Sequence, residues 1–219
     1  EIHERLVGSE MCIRDRKRGL VVSITADDFA AGDTVHYLSN HGIEGYFEAH
    51  KAPSIIKEVE GKKSFSFDGH QVFQSNFSLP ATLLDNAPYT LEAWILNDSI
   101  AENECVADFT TSHDELEKIM LVNGTEPRCG VINHYGWYED AGYKDMKELT
   151  DKWQHIYICF DGRIEQVYIN GKLISEKDIQ LLIKPSQYVT LGRNAEHNWP
   201  FTGYLHSLKL WDEYIPIKK

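Results

Sequence analysis

The sequence predicts an all-β domain, a sandwich or barrel built from short antiparallel strands. Three observations lead there. Runs of about five to eight residues, rich in Ile, Val, Phe, Tyr and Trp, alternate apolar with polar side chains. Asp-Gly and Asn-Gly pairs, which favour tight reversals of direction, stand between them. Gly and Pro punctuate the chain about every ten residues, and helical periodicity is scarce.

The elements follow in order. Residues 1–18 show no clean period of 2 or 3.6; the run Leu6 to Arg16 resembles a translated sequencing adapter, with a genuine polar leader as the alternative. They are set aside, and residues 19–219 are read as one domain. Leu20 to Thr25 is β-branched and apolar. Lys63 to Phe67 alternates polar and aromatic, and Asp68-Gly69 after it reads as a hairpin-type turn. Tyr89 to Leu96 is the strongest central strand: Leu91, Ala93 and Ile95 share one face, Glu92 and Trp94 the other. Trp153 to Phe160 puts Ile156, Ile158 and Phe160 on one face and ends at Asp161-Gly162. Glu165 to Ile169, Asn170-Gly171 and Lys172 to Ser175 read as a hairpin. Glu176 to Ile183 fits a turn of helix or a strand. Tyr188 to Leu191 precedes Gly192, and Gly203 to Trp211 closes the domain. There Leu205 breaks the parity of Leu208 and Leu210, which calls for a bulge or a late strand start.

Three segments carry a family resemblance. Residues 64–69 (SFSFDG) with 89–95 (YTLEAWI), residues 153–162 (WQHIYICFDG) with 167–172 (VYINGK), and residues 189–193 (VTLGR) with 201–212 (FTGYLHSLKLWD) occur in family order. They resemble a laminin-G-like, concanavalin A-like domain over residues 19–215. The resemblance implies a jelly-roll sandwich of two antiparallel sheets with about a dozen strands. It implies function less firmly, since such folds host lectins, glycan-binding modules, adhesion domains and glycoside hydrolases.

Charge and motifs narrow the classes. Lys plus Arg number 22 and Asp plus Glu 34, for a net charge of −12, which argues against nucleic acid as partner. No apolar run approaches the ~18 residues of a membrane span, and the first residues lack the apolar core of a secretory signal. Hydrolases resembling the laminarinase group carry Glu-x-Asp-x-x-Glu on one strand; no such string occurs. The nearest, His113-Asp114-Glu115-Leu116-Glu117, also reads as a solvated loop. The ten His residues form no His-Glu-x-x-His, and Cys-x-x-Cys, Gly-x-Ser-x-Gly and phosphate loops are missing. An enzyme would find its best acid or base groups in His113, Asp114, Glu115 and His134.

Two segments carry binding chemistry. Residues 133–143 hold His134, Tyr135, Trp137, Tyr138, Glu139, Asp140 and Tyr143. Flat aromatic rings stack on the apolar C–H faces of sugars, and carboxylates take the hydroxyls. The same residues also read as a loop whose aromatics plug the sandwich edge. In the second segment Glu196, His197 and Asn198 are placed to face a ligand, with Trp199 packed before Pro200. The resemblance further implies a structural calcium ion; Asp27, Asp28, Asp68 and Asp212 are candidate ligands, each equally a turn or cap carboxylate.

Of the four cysteines, Cys12 lies in the leader and Cys159 within an apolar strand. Cys105 and Cys129 read either as a disulfide, if the strands carrying them pair and the compartment is oxidising, or as two reduced thiols. The expected function is a non-catalytic polysaccharide-binding module of a larger secreted or surface bacterial protein, monomeric as an isolated domain. The alternatives are a protein-interaction or spacer domain and a glycoside hydrolase or polysaccharide lyase with an unfamiliar site.

Overall fold

The computed structural model describes residues 19–110, 112, 115–125, 130–132, 134, 150–194 and 199–217. Among them sixteen strands form: β1 (Leu20–Thr25), β2 (Thr34–Val35), β3 (Tyr37–Ser39), β4 (Tyr46–Ala49), β5 (Ser54–Val59), β6 (Lys62–Asp68), β7 (Phe73–Ser75), β8 (Tyr89–Leu96), β9 (Asn103–Asp108), β10 (Met120–Gly124), β11 (Gly130–Ile132), β12 (Gln154–Phe160), β13 (Ile164–Ile169), β14 (Lys172–Asp178), β15 (Thr190–Leu191) and β16 (Thr202–Trp211). They exceed the expected dozen because strands of two or three residues, such as β2, β3 and β15, are too short to show a period.

Sheet A has nine strands in the order β14-β13-β12-β8-β16-β6-β5-β2, with β1 also on β16; sheet B has seven, β11-β10-β9-β15-β7-β4-β3. All ladder pairs between these strands are antiparallel. The sheets pack face to face over a single apolar core. Parity builds it: Leu91, Ala93 and Ile95 of β8 and Ile156, Ile158 and Phe160 of β12 are all fully buried. Burying each Leu or Ile contributes about 1.5–3 kcal/mol.

Turn chemistry holds in part. Asn170 and Gly171 take φ of 51° and 77°, the two left-handed values that a type I′ hairpin needs between β13 and β14. Glu60-Gly61 makes the same turn between β5 and β6, with φ of 49° and 76°, although Glu gives no such signal in the sequence. Asp68-Gly69 is not a hairpin: β6 belongs to sheet A and β7 to sheet B, so the pair turns a corner between sheets. Residues Glu176 onward continue β14 to Asp178 and form no helix. The bulge falls between Leu205 and Ser207, where β16 changes register on β8.

The described strands nearest the two cysteines, β9 and β11, flank β10 and do not pair with each other. β9 pairs with β10 and β10 with β11, so the strand that opens at Gly130 is not the neighbour of the one carrying Cys105. Cys105 is a buried free thiol, and Cys129 lies outside the described residues. Among the described residues no helix is long and apolar enough to cross a membrane.

Candidate binding site

The first binding segment is rooted by a buried polar cage. Tyr89 of β8, Phe160 of β12 and Glu165 of β13 lie in one cross-strand row on the inner face of sheet A. His134 enters from a bend just past β11 on the opposite sheet. Its Nε2 lies 2.7 Å from Glu165 Oε2 and 3.2 Å from Tyr89 Oη, and Tyr89 Oη donates to the same carboxylate oxygen at 2.6 Å. His134 Nδ1 faces the Lys118 carbonyl at 2.5 Å. A carbonyl only accepts, so Nδ1 carries a proton. The Nε2–Oε2 contact pairs the ring with the carboxylate inside the core, where an unpaired charge would be costly. The side chains of His134 and Glu165 are 0% and 1% exposed. Sequence analysis set His134 in the ligand-facing group; the structure puts its ring inside, where it anchors the chain that continues into the aromatic segment. Tyr135, Trp137, Tyr138, Glu139, Asp140 and Tyr143 lie outside the described residues, as do His113 and Asp114.

The second segment is rooted on the outer face of sheet B. The Gly192 N–H donates to the Val106 carbonyl at 2.9 Å, continuing the β15–β9 ladder. Gly192 has φ of +84°, and a Cβ there would meet the Gln71 carbonyl oxygen at 2.5 Å, so only glycine fits. The chain leaves the ladder and returns at Trp199, whose carbonyl accepts from the Cys105 N–H at 3.1 Å. The half-buried indole packs on Cys105, Met120 and Val122. Burial pushes the Cys105 thiol well above its usual range, with the nearby Asp108 charge acting the same way. Glu196, His197 and Asn198 lie outside the described residues. Both roots touch one stretch of chain: His134 at the Lys118 carbonyl, Trp199 at Met120 and Val122. Two to four residues of chain separate these contacts, at most about 14 Å.

A second buried node sits at the far end of β8. Glu104 accepts from Asn97 Nδ2 at 3.0 Å, the Thr202 N–H at 2.8 Å, Thr202 Oγ1 at 2.8 Å and the Ala101 N–H at 3.1 Å. Asn123 Nδ2 donates to Asn97 Oδ1 at 3.0 Å. The node ties β9 and β10 of sheet B to β8 and β16 of sheet A.

The four aspartates do not fit one calcium site. Asp68 stands opposite Thr202 at the start of β16, and Asp212 follows Trp211 at its end, about 30 Å away. Asp27 and Asp28 follow β1; Asp28 Oδ2 lies 2.6 Å from His41 Nε2, and Asp27 Oδ2 lies 3.9 Å from His206 Nε2. Asp68 Oδ1 accepts from the His70 N–H, and Asp212 Oδ2 accepts from Thr82 Oγ1. Calcium needs six to eight converging oxygens. Among the described residues no group of three or more His, Cys, Asp and Glu is placed to hold a metal.

The family model for the concanavalin A-like lectin/glucanases superfamily matches residues 69–215. The chain belongs to this superfamily. Three solved structures share the concanavalin A-like architecture. Domain 4 of AbnA, an extracellular arabinanase from Geobacillus stearothermophilus solved with arabinotriose, has a TM-score of 0.66 at 18% identity, covering 90% of this chain and 94% of that one. The binding domain of botulinum neurotoxin DC, solved with rat synaptotagmin II, has a TM-score of 0.65 at 11% identity, covering 90% of this chain and 49% of that one. Trypanosoma rangeli sialidase has a TM-score of 0.58 at 13% identity, covering 90% of this chain and 31% of that one. At these identities the likeness is one of fold. No curated protein matches in sequence.

Sequence reasoning missed the residues that brace this concanavalin A-like body. Glu165 shares parity with the buried Val167 and Ile169, so a carboxylate on an apolar face was the readable signal. Glu104 and its partners offered none, because they lie 7 and 98 residues apart in the chain. On the outer face of sheet A, Trp94 and His155 stack at 4.6 Å and 22°, and Lys62 Nζ lies 4.5 Å over the indole. Neighbouring side chains thus engage this ring. Beside it, burial pushes the Glu92 carboxyl up, but the hydrogen bond from His155 and the charge of Lys209 outweigh it, leaving the group below its usual range.

Proposed function

We propose that this chain is a non-catalytic glycan-binding module of a larger secreted or surface protein of a bacterium. The observation that carries this reading is that one end of each of two segments is anchored at residues 118–122, which lead into β10. One segment is rich in aromatic and acidic residues, the other in polar ones. Binding residues are carried disproportionately on loops that a rigid scaffold positions, and these two segments hold residue types suited to sugars. The burial of His134 and the missing carboxylate string favour binding over cleavage. The crystallised complex of AbnA domain 4 with arabinotriose supports a sugar ligand for this fold. Secretion accords with the extracellular arabinanase to which that domain belongs.

The test is a polysaccharide pull-down with the full chain, run with calcium and then with chelator. Retention without release of oligosaccharide is expected, and Trp137→Ala should lower it by about tenfold. Released oligosaccharide would mean a hydrolase or lyase. Loss of retention in chelator would reveal a calcium requirement. A protein partner is the second reading, supported by the neurotoxin domain's complex with synaptotagmin II; it predicts retention on no glycan.

A further inference from the structure

The outer face of sheet B carries a row of side chains that register alone assembles. Tyr37 stands opposite Glu48, Glu48 opposite Gln74, Gln74 opposite Thr190, and Thr190 opposite Asp108. Parity points them outward, because their neighbours Leu38, Phe47, Phe73 and Leu191 fill the core. The open part lies at the β3 edge: Tyr37 is 57% exposed and Tyr46 40%, whereas Thr190 and Asp108 are 5% and 3%. A Tyr ring offers an apolar face with a polar tip, which suits a wet contact surface.

The two tyrosines are held in place. Their rings meet edge to face at 5.8 Å and 70°. Tyr37 Oη donates to Glu48 Oε1 at 3.0 Å, which draws the ring across β4. The Tyr46 N–H donates to Asn76 Oδ1 at 2.8 Å, and Phe47 beneath it packs on Phe77 at 5.3 Å. Glu48 Oε2 has no partner among the described residues. Beside these groups Ser39 and Gln74 add a hydroxyl and an amide at strand spacings of about 4.8 Å.

We infer that Tyr37, Tyr46, Glu48 and Gln74 form a second sugar-contacting surface, one that takes a neutral polysaccharide lying across β3, β4 and β7. The inference rests on the glycan-binding reading and adds a place and a ligand class to it. The exposed rings offer stacking faces, and the carboxylate and amide take hydroxyls. The ligand is neutral because none of the four residues is cationic, while Glu48 and the net charge of −12 repel uronic and sialic acids.

Affinity electrophoresis of the full chain through arabinan, mixed-linkage β-glucan, galactomannan and, as the anionic comparison, polygalacturonate tests this. The variants are Tyr37→Ala/Tyr46→Ala, Glu48→Gln and Trp137→Ala. Retardation by a neutral polysaccharide is expected, weakened about tenfold by the double tyrosine change and several-fold by Glu48→Gln. Because both rings are exposed, the melting temperature of the double variant should stay within a few degrees of the parent's. Retardation that the double variant retains in full would overturn this surface while leaving the glycan-binding reading intact. Retardation by polygalacturonate alone would overturn the neutral-ligand assignment. No retardation by any of the four would overturn both readings.

Discussion

Replacing Glu104 tests whether the two sheets are pinned where the structure places the pin. The carboxylate is 2% exposed and held by donors from three strands or loops. Glu104→Ala leaves the Thr202 N–H without its acceptor and removes one partner of Asn97 Nδ2, which keeps the Thr202 carbonyl. The Ala101 N–H is exposed and passes to water. The Thr202 N–H, the Thr202 hydroxyl and one N–H of Asn97 lose an acceptor; at about 1–3 kcal/mol for each that stays buried, with the small cavity left behind, the loss is about 3–5 kcal/mol. In a domain of this size that lowers the melting temperature by about 6–20 °C. Glu104→Gln keeps the volume but turns one acceptor into a donor facing other donors, for about 1–3 kcal/mol. Urea unfolding with an unchanged slope should order the proteins parent, Gln, Ala. If both variants fall within about 1 kcal/mol of the parent, the node does not join the sheets as argued.

Two further outcomes follow from the titrating groups. The folded-state Glu92 carboxyl is held below its usual range, so its contribution to stability is present above the unfolded value of about 4.3 and is lost as pH falls through the folded one. Glu92→Gln should therefore lose less stability than the parent between pH 7 and pH 3, read from urea midpoints; equal losses would refute the assignment. Burial pushes the Cys159 thiol up to about 12, and the Cys105 thiol is raised as well. Iodoacetamide at pH 8 should leave both unmodified in the native chain and label both in urea without reductant, as peptide mapping would show; a Cys105 that needs reductant first would be bridged.

How much of this was legible in the sequence depends on range. The β8 and β12 faces, the Asn170-Gly171 hairpin and the β16 bulge were readable, because parity and turn propensity act over neighbouring residues. Asp68-Gly69 misled because the same dipeptide serves a hairpin or a corner, and the choice lies with the sheet that receives the next strand. That β9 and β11 flank β10 and do not pair was equally unreadable, because no local pattern encodes strand order. His134 looked ligand-facing from its aromatic neighbours, yet its environment is set by Tyr89 and Glu165, 45 and 31 residues away in sequence. The row from Tyr37 to Gln74 was invisible for the same reason: β3 has three residues, and its partners come from separate strands.

That row also shows why the buried polar nodes matter to recognition. Side chains on a strand alternate between faces, so a one-residue slip of β7 would turn Gln74 inward and expose Phe73. Phe73 is fully buried and packs with the Phe67 ring at 6.3 Å. Its exposure would forfeit about 1.5–3 kcal/mol, which opposes the slip on that strand. β3 is as short and β15 shorter, and each has a single core residue resisting a slip, Leu38 and Leu191. Their register is then fixed by what they pair with, and β9, the partner of β15, is held to sheet A at Glu104. The geometry of an exposed face is thus set in part by a carboxylate that no ligand touches. On this argument Glu104→Ala should weaken sugar binding beyond what the folded fraction accounts for. Binding that falls only in step with unfolding would place the control of register in the core alone.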